Sequence, residues 1–170
     1  MAAEGLLTMN LYQFSLNGKP VQLQAADDRL LLEVLREHFK ITSVKNGCAP
    51  QQQCGACVTL VNGIPKNSCA LTMDKVQGKE ILTLEGVSEE ERQLFARAFQ
   101  VAAGLQCGFC TPGMMMTAYA LLEQNPDPSE LEIREAISGN LCRCTGYVNI
   151  VRSIQHAAAA MREEATVAAD

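Results

Sequence analysis

The chain has 170 residues, 48% of them hydrophobic and 19% charged, with a net charge of −5. That composition belongs to a folded chain with room for one ordinary domain or two small ones, and it excludes disorder. Lys and Arg cluster nowhere, which excludes a phosphate-binding face and so a nucleic-acid partner. The longest nearly apolar run, Met114 to Leu122, is far short of the roughly 20 residues of a membrane helix.

Read in chain order, Met1 to Asn10 has an acid at Glu4, no basic residue and no long apolar core, unlike a secretion signal. Cytoplasmic location is the default expectation, with periplasmic or membrane-associated location as the alternative if a partner carries the export signal. Leu11 to Leu16 and Val21 to Gln24 alternate around Asn17-Gly18-Lys19-Pro20, and Asn-Gly marks a tight hairpin turn. Asp27 or Asp28 is placed to cap a helix reaching about His38. Leu31, Val34, Leu35 and His38 share one face of it, where His38 is expected to pack. A polar loop carrying cysteines runs from Gly47 to Cys57. Val58 to Val61 then turns at Asn62-Gly63 into a second hairpin arm, and Ile81 to Leu84 reads as a last strand. The order β-β-α, loop, β-β, β is that of a small grasp-like sheet around one helix.

The second half reads as helical. Ser88-Glu89-Glu90-Glu91 opens a helix that stops at Gly104, and Gly113 to Gln124 follows with Pro112 near its start. Ser129-Glu130-Leu131-Glu132 opens a third helix closed by Gly139, and Asn149 to Glu164 is a fourth. The boundary between halves falls near Gly86 to Ser88. We therefore expect domains at 9–86 and 87–164, with flexible tails at 1–8 and 165–170.

Eight cysteines stand in a chain with two histidines. The first set is Cys48-x5-Cys54-x2-Cys57-x11-Cys69; the second is Cys107-x2-Cys110, then after 31 residues Cys142-x-Cys144. Such close spacings argue against a disulfide framework and for metal binding. Three thiolates on one loop and a fourth from the next hairpin suit a two-iron cluster, with Gly47 and Gly55 letting backbone amides turn toward sulfur. A structural zinc site is the alternative, although zinc ligands usually come as two short pairs. In the second set, both pairs sit at loop-to-helix junctions followed by Thr and a Gly-containing turn, and helix N-termini favour thiolate charge. Zinc stays open there too.

The motifs Gly47-Cys48, Cys54-Gly55-Ala56-Cys57, Ser68-Cys69, Leu105-Gln106-Cys107-Gly108-Phe109-Cys110-Thr111-Pro112-Gly113 and Gly139-Asn140-Leu141-Cys142-Arg143-Cys144-Thr145-Gly146-Tyr147 resemble the small iron–sulfur subunit of the molybdenum hydroxylases. Xanthine dehydrogenases, aldehyde oxidoreductases and carbon monoxide dehydrogenases belong to that family. The resemblance covers roughly residues 9–160. It implies an α+β chain: an N-terminal β-grasp domain like plant-type ferredoxins, then an all-α four-helix domain. It implies that Cys48, Cys54, Cys57 and Cys69 hold one [2Fe-2S] cluster and that Cys107, Cys110, Cys142 and Cys144 hold a second. Gln106 and Cys144 would lie near the molybdopterin of a large partner subunit. Electrons would pass from that pterin through both clusters to an FAD subunit or a cytochrome c-type acceptor. The chain would be the iron–sulfur subunit of a heteromeric oxidoreductase, lacking a substrate site and catalytic residues of its own. A free-standing two-cluster electron carrier is the alternative function, and a zinc-stabilised adaptor a third.

One departure stands out. The family loop usually has four residues between its first two cysteines, often with a central Gly; here Ala49 to Gln53 makes five without one. All four ligands remain, so the departure bears on loop shape and redox potential. Arg143 is either a charge near the cluster or a helix-end group. Tyr147 is either a hydrogen-bonding group near the cofactor or, by preference, packing at a helix start. Met114, Met115 and Met116 are expected in the core or an interface.

Overall fold

The computed structural model describes residues 9–167. Of the expected tails, 1–8 and 168–170 lie outside the described residues, while 165–167 continue the last helix.

Strands β1 (Met9–Leu16) and β2 (Lys19–Ala26) pair antiparallel through the Asn17-Gly18 turn, whose residues both have positive φ (52° and 76°). That is the requirement of a two-residue type I′ hairpin. Asn62 and Gly63 (50° and 77°) repeat it between β3 (Val58–Val61) and β4 (Ile64–Asn67). Strand β5 (Glu80–Leu82) joins the hairpins, parallel to β1 and antiparallel to β3, giving the order β2-β1-β5-β3-β4. Alternation along β1 sends Tyr12, Phe14 and Leu16 inward, where they meet Leu31, Leu35, Met73 and Ile81.

Helix α1 departs from expectation at both ends. Only Leu31–Glu33 is α-helical, and Val34–His38 continues as a π-helix. Its N-cap is Leu30, with no side-chain cap. Asp27 is committed elsewhere: its carboxylate accepts from the Tyr12 hydroxyl at 2.5 Å and from Asn10 Nδ2 at 2.6 Å. The first turn is seated instead by a bridge from Leu30 to Thr72 and by Leu31 N–H donating to Leu71 O at 2.8 Å. Leu31, Val34 and Leu35 share the buried face as expected. His38, the last residue of the π-turn, is exposed, its ring edge-on to Phe39 with centroids 4.7 Å apart, and not packed in the core as expected.

The helical half contains α2 (Glu89–Val101), α3 (Thr111–Gln124), α4 (Glu130–Ala136) and α5 (Val148–Val167). Both expected capping boxes form, Ser88 with Glu91 and Ser129 with Glu132. Phe95 and Phe99 of α2, Met114 and Met115 of α3, Ile133 of α4, and Ile150 and Ile154 of α5 make one core. Helix α3 is buried on nearly every side. Its Met116 and Ala120 turn away from that core and pack on Val58 and Leu60 of β3 and on Val87. This third cluster fixes the helical half against the sheet, and with it the separation of the two cysteine sets.

Candidate metal centres

Each cysteine set is gathered by a different local device. Cys48, Cys54 and Cys57 lie on the loop between α1 and β3, and Cys69 lies in the 3-10 turn Ser68–Ala70 directly after β4. Hairpin register brings the fourth in: Val58 pairs with Asn67, and Ser68 donates to Cys57 O through its N–H at 3.1 Å and its hydroxyl at 2.9 Å. Asn67 Nδ2 donates to Gln52 O at 3.2 Å, tying the hairpin to the far side of the loop. Cys57 and Cys69 are buried, while Cys48 and Cys54 are half-buried.

Within this set the thiols pair as Cys48 with Cys54 and Cys57 with Cys69. Backbone N–H groups of Gln53, Cys54 and Gln51 converge on Cys48 and, against the cost of burial, bring its thiol down to about 7. Burial pushes Cys54 up, the Ala56 N–H opposing and the Cys48 thiol adding to the rise. Burial takes Cys69 to about 12, helped by the Cys57 thiol and opposed by the Gln52 N–H. The five-residue loop closes because Ala49 and Gln52 adopt left-handed backbone (φ 53° and 61°) without being glycine. An Asn46 side chain accepting from Ala49 N–H at 3.1 Å anchors its start.

In the second set, Cys110 is the N-cap of α3, while Cys142 and Cys144 occupy the irregular segment before α5. Cys107 and Cys144 are exposed, with their sulfurs 3.6 Å apart, and Cys110 pairs with Cys142 further in. Burial, then the Cys142 thiol, pushes Cys110 up to about 12. Burial acts on Cys142 in the same sense, but the Thr145 hydroxyl donating to its sulfur at 3.2 Å and the N–H groups of Cys144 and Thr145 outweigh it and hold it below the usual thiol range. The Cys107 thiol raises Cys144.

The donor chemistry fits iron–sulfur clusters. Backbone N–H groups aimed at several sulfurs are matched when those sulfurs are metal-bound thiolates. A separation of 3.6 Å is close to the edge of a tetrahedron with metal–sulfur bonds of about 2.3 Å. Among the described residues, no three His, Cys, Asp or Glu side chains gather around a single ion. The sulfurs instead form two pairs per set, the form of a binuclear site.

A cavity of about 380 Å³ opens between the sets. It is lined by Gly47, Cys54 and Ala56 from one side and by Cys107, Phe109 and Cys144, among others, from the other. Gln106 is exposed beside Cys107, and Arg143 is exposed on the cavity wall. Tyr147 does more than pack at a helix start: its hydroxyl accepts from Cys142 N–H at 2.8 Å and donates to Asn140 O at 3.3 Å. Sequence reasoning passed over Asn67, Thr117, Asn140 and Thr145. For three of them the signal was adjacency: Asn140 stands two residues before Cys142, Thr145 directly follows Cys144, and Asn67 stands two residues before Cys69, whereas Thr117 in α3 carries none.

A family model described as a 2Fe-2S iron-sulfur cluster binding domain matches residues 14–83, and one described as a [2Fe-2S] binding domain matches residues 83–155. The chain is 45% identical to the nicotinate dehydrogenase small FeS subunit of Eubacterium barkeri, across 89% of this chain and 94% of that one. It is 42% identical to the xanthine dehydrogenase iron-sulfur-binding subunit of Escherichia coli O157:H7, across 82% and 89%. Among solved structures, it is similar to a chain of quinoline 2-oxidoreductase from Pseudomonas putida 86, with a TM-score of 0.84 and 40% identity across 91% of this chain and 97% of that one. It is also similar to the aldehyde oxidoreductase of Desulfovibrio desulfuricans, with a TM-score of 0.86 and 36% identity across 92% of this chain and 18% of that longer one.

Proposed function

The chain belongs to the family of small [2Fe-2S] subunits of the molybdenum hydroxylases, and we propose how its own residues serve that family's work. It is an electron-transfer subunit: it takes electrons from the molybdopterin site of a large partner subunit and passes them on. When bound, the two [2Fe-2S] clusters supply one-electron redox centres at the two cysteine sets.

Cys48, Cys54, Cys57 and Cys69 hold one cluster in this reading, and Cys107, Cys110, Cys142 and Cys144 hold the other. Backbone N–H groups of Gln51, Gln53 and Cys54 stabilise thiolate charge at Cys48, and the Thr145 hydroxyl does so at Cys142. Cys107 and Cys144 lie at the surface, so this edge of the helical set, with Gln106, faces the molybdopterin subunit. Leu105, Phe109 and Leu141 are exposed apolar residues around it and form the contact rim. The exposed Ala49–Gln53 loop over the other set faces the final acceptor, an FAD subunit or a cytochrome. A free-standing carrier would have little use for an apolar rim around its cluster.

The observation that carries this reading is the gathering of eight cysteines into two sets of paired thiols. The test is iron, sulfide and zinc per chain, with low-temperature EPR of the dithionite-reduced protein. About four iron and four sulfide with two distinguishable S = 1/2 signals support it. Zinc with a silent spectrum overturns it.

A further inference from the structure

Residues 139–141 lie between the two cysteine sets, and their contacts exceed what holding a ligand at Cys142 requires. Asn140 is only 3% exposed. Its Nδ2 donates to Gly55 O at 3.0 Å, and its Oδ1 accepts from the Thr117 hydroxyl at 2.9 Å. The next residue, Leu141, donates its N–H to Cys54 O at 2.9 Å. Cys54 belongs to the first set, and Leu141 is bonded to Cys142 of the second. One hydrogen bond therefore closes a continuous through-bond route from a sulfur of one set to a sulfur of the other.

The fit around that bond is close. A Cβ at Gly55 would stand 2.4 Å from Gly139 O and 2.7 Å from Asn140 Nδ2, and one at Gly113 would stand 2.3 Å from Gly55 O. Gly55 O already accepts from Val58 N–H at 3.3 Å, so it does not need Asn140 to be satisfied. Filling the space does not need a carboxamide either, since an apolar side chain of similar size would avoid desolvating one. What an apolar residue would lack is a directional grip on Gly55, and hence on the carbonyl of Cys54 beside it.

We propose that Asn140 is a positioning residue for electron transfer between the two cysteine sets: its carboxamide, oriented by Thr117, clasps Gly55 and so holds the Leu141 N–H on the Cys54 carbonyl. The inference rests on the function proposed above. In the step concerned, one electron leaves the Cys107, Cys110, Cys142 and Cys144 site, which is oxidised by one. It enters the Cys48, Cys54, Cys57 and Cys69 site, which is reduced by one. No proton moves and no bond breaks.

The test uses the full chain loaded with iron and sulfide, as wild type, Asn140→Ala and Thr117→Val. EPR of the reduced protein reads each signal's g-values and the magnetic splitting between them, and flash reduction by a one-electron donor reads the rate of electron exchange between the sites. For Asn140→Ala we expect both signals to keep their own g-values, a narrower splitting, and an exchange rate lower by about tenfold or more. Thr117→Val should move the rate the same way and by less, and it carries the test if Asn140→Ala does not retain both clusters. A purely structural role would lower thermal stability without moving splitting or rate. Two clusters with unchanged splitting and rate overturn the inference alone. A wild-type chain that binds no iron overturns the proposed function, and the inference with it.

Discussion

At the scale of single residues, Gly55 of the first loop and an exposed cysteine of the second set make opposite kinds of prediction. Gly55 has φ +67°, and its missing Cβ is the space Gly139 O and Asn140 occupy. Gly18 has φ +76° but nothing within 4 Å. Both alanine variants carry the left-handed strain, about 1 kcal/mol, while Gly55→Ala adds an overpacking cost of about 2 kcal/mol. Urea denaturation of the two variants should therefore separate them, with Gly18→Ala the milder; equal losses would mean the contacts at Gly55 relax freely. Cys144 is exposed, with its sulfur 3.6 Å from that of Cys107. Cys144→Ser should perturb or remove the helical-site EPR signal and leave the other as it was. Loss of both signals together would count against two independent sites.

At the scale of elements, legibility followed how local the determinants were. The Asn-Gly hairpins and the two capping boxes are decided within four residues, and all four formed where the sequence placed them. Ser88→Ala and Ser129→Ala should each cost about 1 kcal/mol, read as a shift in denaturation midpoint. Helix α1 was misread because its start depends on residues far away. Tyr12 and Asn10 claim the Asp27 carboxylate, and Thr72 seats Leu30, so the cap visible in sequence was already spent. Beyond Glu33 the helix continues as a π-turn, and His38 at its end lies at the surface, off the buried face that Leu31, Val34 and Leu35 share. A second long-range tie makes a pH prediction. Burial alone would raise the Glu85 carboxyl, but the Ser43 hydroxyl and N–H and the Thr83 hydroxyl outweigh it and hold Glu85 below its ordinary value near 4.5. Because its folded value is depressed, its contribution is complete above that ordinary value and is lost as pH falls through the lower one. The stability difference between wild type and Glu85→Gln should thus be larger at pH 7 than at pH 3, and a difference independent of pH would refute the assignment.

At the scale of the whole molecule, the two cysteine sets were legible and their mutual placement was not. Cysteine spacing announced two sets, yet only packing brings them together: Met116 and Ala120 of α3 against Val58 and Leu60 of β3, and Asn140 against Gly55. Neither contact has a periodic signature, because each joins residues from opposite halves of the chain. The same packing leaves Leu105 40% and Leu141 55% exposed beside Cys107 and Cys144, where an isolated chain would have no reason to keep them. Burying two such leucines in a partner contributes about 2 kcal/mol or more to association. Leu105→Ser with Leu141→Ser leaves the Leu141 backbone bond to Cys54 available and removes only apolar rim. Co-expressed with the molybdopterin subunit of its own complex, this double variant should co-purify with it poorly, while iron content and both EPR signals of the chain stay at wild-type levels. Undiminished co-purification would mean that the subunit docks through another face, and that electrons enter the helical site from a different direction.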